Sequence, residues 1–195
     1  MGRKNLTEER TAEILEAFAR CMVKYGLDTS LDQVAEEAGM TRSIIRHYIG
    51  NREEVVNTLV AHIAVDYLAE LRVQAAQIPQ EQMISTTLDY LFGDEPSYED
   101  TDKLIFDLMM TAKDRYPQAK KTLVAMFEEL VSMFVADLAH AYPQANEAHC
   151  RNMAYSVLAL AMSNESLLWT GMDQRYGAAA RASAEALIRT LGSSG

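Results

Sequence analysis

Apolar residues recur every three to four positions through most of the chain, which is the spacing of one buried face of an α-helix. No segment shows the strict alternation of apolar and polar residues that is typical of a β-strand. The pattern predicts helices at about 7–25, 31–38, 42–49, 52–77, 80–92, 101–114, 117–141, 145–170 and 174–191. The predicted fold class is therefore all-α, with about nine helices.

Signals for helix ends support the first three helices. Gly26 closes the first helix. Its predicted buried stripe consists of Ile14, Leu15, Phe18, Met22 and Val23. Ser30 and Gln33 form a capping box at the start of the second helix. Gly39 ends that helix, and Thr41 is placed to cap the third. Two short helices joined by a tight glycine-containing turn are the helix-turn-helix pattern.

The distribution of charge makes the third helix unusual. The chain has a formal net charge of −10 and a pI of about 4.9, which argues against nonspecific binding to nucleic acid. Residues 39–52 nevertheless contain Arg42, Arg46 and Arg52 and no acidic residue. Salt screens charges beyond about 8–10 Å. A partner in contact with this segment therefore experiences its positive charge rather than the negative net charge of the chain.

A helical wheel divides the third helix into two sides. Ile45 and Ile49 face the core. The outward side consists of Ser43, Arg46 and His47, with Arg42, Ile44 and Tyr48 on its flanks. Arginine can bridge guanine O6 and N7 or bind phosphate, and an exposed isoleucine can cover a thymine methyl group. The predicted DNA-contacting residues are Ser30, Thr41, Arg42, Ser43, Ile44, Arg46, His47, Tyr48 and Arg52. Arg52 also begins the next helix, whose peptide N–H groups are suited to phosphate. The alternative is a solvated face of an ordinary helical bundle.

Residues 7–56 resemble the DNA-binding domain of the TetR (tetracycline-repressor-like) family of transcriptional regulators. The matching pieces are Ile14-Leu15-Glu16-Ala17, Tyr25-Gly26, Thr29-Ser30, Val34-Ala35-Glu36-Glu37-Ala38-Gly39, Thr41, Ile45 and Arg52-Glu53-Glu54. The resemblance implies a homodimer that reads a palindromic double-stranded DNA operator, usually released by a small molecule. This chain has Arg46, Tyr48, Ile49 and Arg52 where the family usually has Tyr, His, Phe and Lys. No scheme of base contacts is therefore carried over.

The helix pattern and the resemblance together predict the domain organisation. Residues 1–51 are expected to form the DNA-binding domain, residues 52–191 a helical ligand-binding and dimerisation domain, and residues 192–195 a flexible tail. The resemblance implies that the helices at about 145–170 and 174–191 form the dimer interface. Alanines at positions 178, 179, 180 and 182 would allow close helix approach there.

Methionines and polar groups in apolar helices indicate a pocket for a small-molecule effector in the second domain, since such residues line selective apolar cavities. The predicted ligand-binding residues are Tyr90, Met109, Met126, Tyr155, Asn164, Glu165 and Trp169. The methionines also suit ordinary core filling. Each polar residue also fits a satisfied hydrogen bond at a helix contact or at the dimer interface.

Other chemistry has little support in the sequence. The N-terminus lacks the apolar core of a signal peptide and no apolar run is long enough to span a membrane, so a cytoplasmic protein is expected. Cys21 and Cys150 are interpreted as reduced, buried thiols. His140, His149 and Cys150 fit no closed zinc pattern, and no catalytic motif or cofactor site is predicted. The remaining alternative is a helical ligand-binding or interaction protein whose headpiece no longer reads DNA.

Overall fold

The computed structural model describes residues 3–26, 28–93, 108 and 115–193, and within these ranges the chain is helical, without strands. Its helices are α1 (Arg3–Tyr25), α2 (Leu31–Glu37), α3 (Arg42–Tyr48), α4 (Arg52–Ala75), α5 (Met83–Phe92), α6 (Pro117–Ala141), α7 (Glu147–Trp169) and α8 (Arg175–Arg189). Two 3₁₀ helices, Gln80–Gln82 and Thr190–Ser193, complete the described elements. The all-α fold class is confirmed. The helix predicted at 101–114 lies outside the described residues, apart from the buried Leu108.

The helices form two compact units. Among the described residues, the first unit comprises 3–26, 28–67, 108 and 115–125, and the second comprises 68–93 and 126–193. Helices α4 and α6 each contribute residues to both units. The first unit therefore extends beyond residues 1–51, since it also takes in most of α4 and the start of α6.

The first unit buries one face of α1 against α2 and α3. The buried residues of α1 are Ile14, Leu15, Ala17, Phe18, Cys21 and Met22. Val34 of α2 and Ile45 of α3 are fully buried as well. Val23 was predicted to share this face but is 53% exposed. The prediction was wrong because each helical residue turns by about 100°, so Cys21 and Met22 fill the buried edge and Val23 passes to the solvent side.

The predicted caps of α2 and α3 are confirmed. Ser30 Oγ accepts a hydrogen bond from the Gln33 amide at 3.2 Å, while Gln33 Oε1 accepts one from the Ser30 amide at 2.8 Å. Thr41 Oγ1 accepts from the Ile44 amide at 3.4 Å. Gly39 has φ +62° in the turn between the two helices, a conformation that glycine adopts without steric cost. The helix-turn-helix is thus specified by residues close together in sequence.

The second unit has its own core, built from α5, α6, α7 and α8. Its buried residues are Leu88, Phe92, Val131, Phe134, Val135, Leu138, Cys150, Ala154, Val157, Ala161, Ala184, Ile188 and Leu191. Arg181 of α8 also donates to Asp89 Oδ1 of α5 at 2.6 and 3.2 Å. Cys21 and Cys150 are both buried free thiols. No described helix is both long and apolar enough to span a bilayer.

A reciprocal cap begins α4 directly after the helix-turn-helix. The Asn51 amide donates to Glu54 Oε2 at 2.7 Å, and the Glu54 amide donates to Asn51 Oδ1 at 3.1 Å. Gly50 precedes this cap with φ +116°, and a Cβ at this position would lie 2.1 Å from Glu54 Oε2. Only glycine therefore fits between α3 and this cap without displacing the glutamate.

We expect Gly50→Ala to destabilise the first unit by about 1–3 kcal/mol, because it combines a strained positive φ with a disturbed cap. The measurement is the thermal unfolding midpoint. Gly177→Ala is the matched control, since a Cβ there meets nothing closer than Leu168 Cδ1 at 4.0 Å. Inside α8 that substitution is expected to be neutral or stabilising, since alanine favours helix. A Gly50→Ala variant as stable as the wild type would contradict the role given to Gly50.

Candidate nucleic-acid interface

An open groove of about 490 Å³ runs beside α3 in the first unit. It is lined by Leu6, Arg10, Gly39, Met40, Ser43, Ile44, His47 and Tyr48. The four residues from α3 were predicted as DNA-contacting residues from the helical wheel. Leu6 and Arg10 of α1 and Met40 of the turn were missed, because the wheel considered one helix alone. The available sequence signal for Arg10 was the group of cations Arg3, Lys4 and Arg10 near the start of the chain, which also includes the acids Glu8 and Glu9.

The outward face of α3 has the composition that the wheel predicted. Ile45 is fully buried, whereas Ile44 is 38% exposed. Ser43, Arg46 and His47 are exposed, and Tyr48 and Ile49 are half-buried where the helix ends. The rings of His47 and Tyr48 meet edge to face with centroids 5.1 Å apart. Helix α3 therefore presents hydroxyl, cationic and apolar groups on one accessible side.

The three arginines of the basic segment have different environments. Arg42 Nη1 donates to Asp32 Oδ2 at 3.1 Å on the exposed surface. Such exposed pairs contribute only about 0–1 kcal/mol, so this arginine can exchange Asp32 for another anion at low cost. Arg46 makes no ion pair or side-chain hydrogen bond with the described part of the chain. Arg46 is thus the cation of α3 that is available without breaking an existing contact.

Arg52 is turned toward the interior of the first unit. Its Nε donates to the Thr29 carbonyl oxygen at 2.9 Å, and its guanidinium carbon lies 5.7 Å from the centroid of the Tyr116 ring. Burial lowers the pKa of Arg52, the positive charge of Arg115 lowers it further, and Asp28 acts in the opposite direction. The arginine predicted to bind phosphate at the start of α4 is therefore engaged within the protein.

Ser30 and Thr41, the remaining predicted DNA-contacting residues, lie at the starts of α2 and α3. The Ser30 hydroxyl lies 2.9 Å from Gln33 Oε1 within the capping box. The Thr41 hydroxyl lies 2.8 Å from that of Ser43 on an exposed surface. Both hydroxyl groups thus have hydrogen-bond partners at the starts of α2 and α3.

The predicted ligand-binding residues that the structure describes all belong to the second unit. Met126 is buried in α6. Four residues are half-buried, namely Tyr90, Asn164, Glu165 and Trp169. Tyr155 is 66% exposed on α7, which suits the alternative role at a dimer interface. Met109 lies outside the described residues, and the effector pocket remains a prediction.

Comparison with known proteins gives two similar sequences. No family model matches the chain. The uncharacterized HTH-type transcriptional regulator TtgW of Pseudomonas putida is 28% identical over 137 residues, covering 60% of this chain and 98% of TtgW. The HTH-type transcriptional regulator SrpR, also of Pseudomonas putida, is 28% identical over 137 residues, covering 60% of this chain and 62% of SrpR. The chain thus spans less than two thirds of SrpR.

Comparison with solved structures covers nearly the whole chain. A TetR transcription regulator from Haloarcula marismortui superimposes with a TM-score of 0.79 at 14% sequence identity, covering 94% of this chain and 98% of that one. At so low an identity the likeness establishes the fold. The chain therefore has the fold of the TetR family of transcriptional regulators, as its resemblance to that family predicted.

Proposed function

We propose that this protein is a sequence-specific DNA-binding transcriptional regulator that inserts α3 into the major groove. The observation that carries the proposal is the division of α3 into a buried side at Ile45 and an exposed side at Ser43, Arg46 and His47. The TetR fold and the similarity to helix-turn-helix regulators support it. This role involves no catalysis and no cofactor, and it implies a cytoplasmic location with access to DNA.

Several side chains of the interface have a matching group on DNA. Arg46 can bind guanine or a phosphate, and Ile44 can contact a thymine methyl group. The exposed pair between Arg42 and Asp32 can open to give a second phosphate contact. Arg10 and Met40 add a cation and an apolar group beside α3, which extends the proposed contact beyond the recognition helix.

The proposed assembly is a homodimer through α7 and α8. These helices and the turn between them expose Tyr155, Leu167, Met172, Tyr176 and Leu187, and burial against a second copy of the chain would remove this apolar surface from water. A symmetric dimer would read a palindromic operator, because two recognition helices roughly 34–36 Å apart meet successive major grooves. Occupancy of such a site near a promoter would repress transcription.

Release of DNA by a small-molecule effector completes the proposal. We expect an apolar or amphipathic effector to raise the melting temperature and to lower DNA affinity, because it must prefer the state that binds DNA poorly. Trp169→Ala and Asn164→Ala should weaken the response of both quantities to a compound found in a thermal-shift screen. Ser156→Ala, at an exposed site on the same helix, is the control. An unchanged response in both variants would contradict the pocket assignment.

Selection of DNA sites from a random pool by the purified protein tests the proposed function. The expected result is an inverted repeat, with a footprint on two successive major grooves and an affinity that falls steeply with salt. Failure to select any sequence, together with binding that lacks salt dependence, would instead favour a ligand-binding or interaction protein whose headpiece no longer reads DNA.

A further inference from the structure

Residues 115–119, at the entry to α6, contact the connection between α1 and α2 and also contact α4 within the first unit. Arg115 Nη1 donates to Asp28 Oδ1 at 2.8 Å, in the connection between α1 and α2. The Ala119 amide donates to Asn57 Oδ1 of α4 at 3.1 Å. Tyr116 lies between these two contacts in sequence and is only 4% exposed. The position of Tyr116 is therefore fixed by bonds on both sides of it.

The Tyr116 ring contacts the Arg52 guanidinium but does not satisfy its hydrogen-bonding groups. The guanidinium carbon lies 5.7 Å from the ring centroid, within the range of a cation–π contact. Arg52 Nη2 and the Tyr116 hydroxyl are nevertheless both buried, and neither has a hydrogen-bond partner among the residues that the structure describes. Buried polar atoms that lack partners cost free energy. An arrangement that offers oxygen acceptors to Arg52 would therefore compete with the one described.

The local charge favours an anionic acceptor. The guanidinium groups of Arg52 and Arg115 lie 5.7 and 5.8 Å from the same Tyr116 ring. Asp28 carries the negative charge beside them and is hydrogen-bonded to Arg115, which lowers the pKa of Asp28 and keeps it ionised. Among the described residues, the Asp28 carboxylate thus interacts with two guanidinium groups, those of Arg115 and Arg52. Arg52 begins α4, four positions after α3 ends at Tyr48, and Glu53 and Glu54 follow it in the first turn.

We propose that Tyr116 is a positioning residue that withholds Arg52 from DNA. In the withdrawn state, the Arg52 guanidinium is bound to the Thr29 carbonyl and the Tyr116 ring. In the DNA-bound state, it leaves the ring and donates to a backbone phosphate next to the bases that α3 reads. This inference rests on the proposed DNA-binding function and adds a control element outside the recognition helix.

Tyr116→Leu tests the inference, because leucine fills the site with an apolar side chain that cannot attract a cation. We expect this variant to bind the selected operator about three- to tenfold more tightly than the wild type. The slope of log affinity against log salt should steepen by about 0.9, corresponding to one more phosphate contact. If Tyr116 only supports the fold, the variant should bind the operator more weakly than the wild type, since disturbed packing would weaken DNA binding.

Two further variants isolate the role of the ring. Tyr116→Phe keeps the ring and removes only the unpartnered hydroxyl group, so its affinity and salt slope should match those of the wild type. Arg52→Ala in the Tyr116→Leu background should abolish the gain in affinity, since the gain requires the released cation. Tyr116→Met carries the same prediction as Tyr116→Leu and replaces it should the leucine variant fail to fold.

The outcomes separate this inference from the proposed function. Salt-dependent operator binding by the wild type, with equal or weaker binding by folded Tyr116→Leu or Tyr116→Met, would overturn the role of Tyr116 and leave the proposed function standing. A gain that persists after Arg52→Ala would also overturn it. Absence of any salt-dependent, sequence-selective binding by the wild type would overturn both proposals.

Discussion

Replacing Arg46 with alanine is expected to weaken binding to the selected operator by about 10-fold to 100-fold. A specific arginine contact to a base contributes about 1–3 kcal/mol, and Arg46 is exposed on α3 without a competing ion pair in the described part of the chain. Folding and dimerisation should be unchanged, since the side chain supports no packing. Equilibrium binding to the operator and to single-base variants measures the effect.

The pattern of loss across operator variants identifies what Arg46 touches. If Arg46 contacts a base, the Arg46→Ala variant should lose its preference for one base pair at a single operator position. If Arg46 contacts a phosphate, the variant should bind all operator variants more weakly by the same factor, and its affinity should depend less on salt. Lys121→Ala removes one exposed positive charge elsewhere in the first unit and is the matched control. Equal affinities for Arg46→Ala and the wild type would remove Arg46 from the interface.

Ala179→Arg is expected to break the proposed dimer and to reduce operator affinity by about 100-fold or more. Position 179 is exposed on α8 within its alanine run, where a long cation would prevent close helix approach. Arginine favours helix nearly as well as alanine, so the protomer should remain folded. A monomer has one DNA-binding domain instead of two. It therefore loses the gain in DNA affinity that comes from linking two binding domains, which is commonly 10²–10⁴-fold. Light scattering measures the dimer, and operator binding measures its consequence.

The sign of the charge change makes this result easy to interpret. An added arginine would by itself strengthen attraction to DNA. A loss of DNA affinity in this variant therefore indicates that the dimer has been lost. Ala136→Arg places the same charge at an exposed site on α6 and should leave both dimer and affinity near the wild-type values. An Ala179→Arg variant that stays dimeric would place the dimer interface elsewhere.

Sequence-based prediction was only partly successful for the basic segment, residues 39–52. The sequence predicts that its three arginines form one cationic patch, and Arg46 and Arg42 do lie on the exposed side of α3. Arg52 instead binds Thr29 and Tyr116. The helical wheel was reliable because it needs only the residues of one short helix. Nothing in that helix indicates that Tyr116, the residue directly before α6, lies beside Arg52.

The sequence by itself determined the helices that the structure describes, the caps at Ser30 and Thr41, and the division of α3 at Ile45. Each of these depends on residues within about four positions of one another. Only the tertiary structure decided that residues 115–119 belong with the DNA-binding helices and that Arg52 is engaged inside the protein. Asp28 and Arg115 are 87 positions apart, and no local periodicity encodes a contact over that separation. Such contacts form only when burial of the helix faces brings the distant segments together.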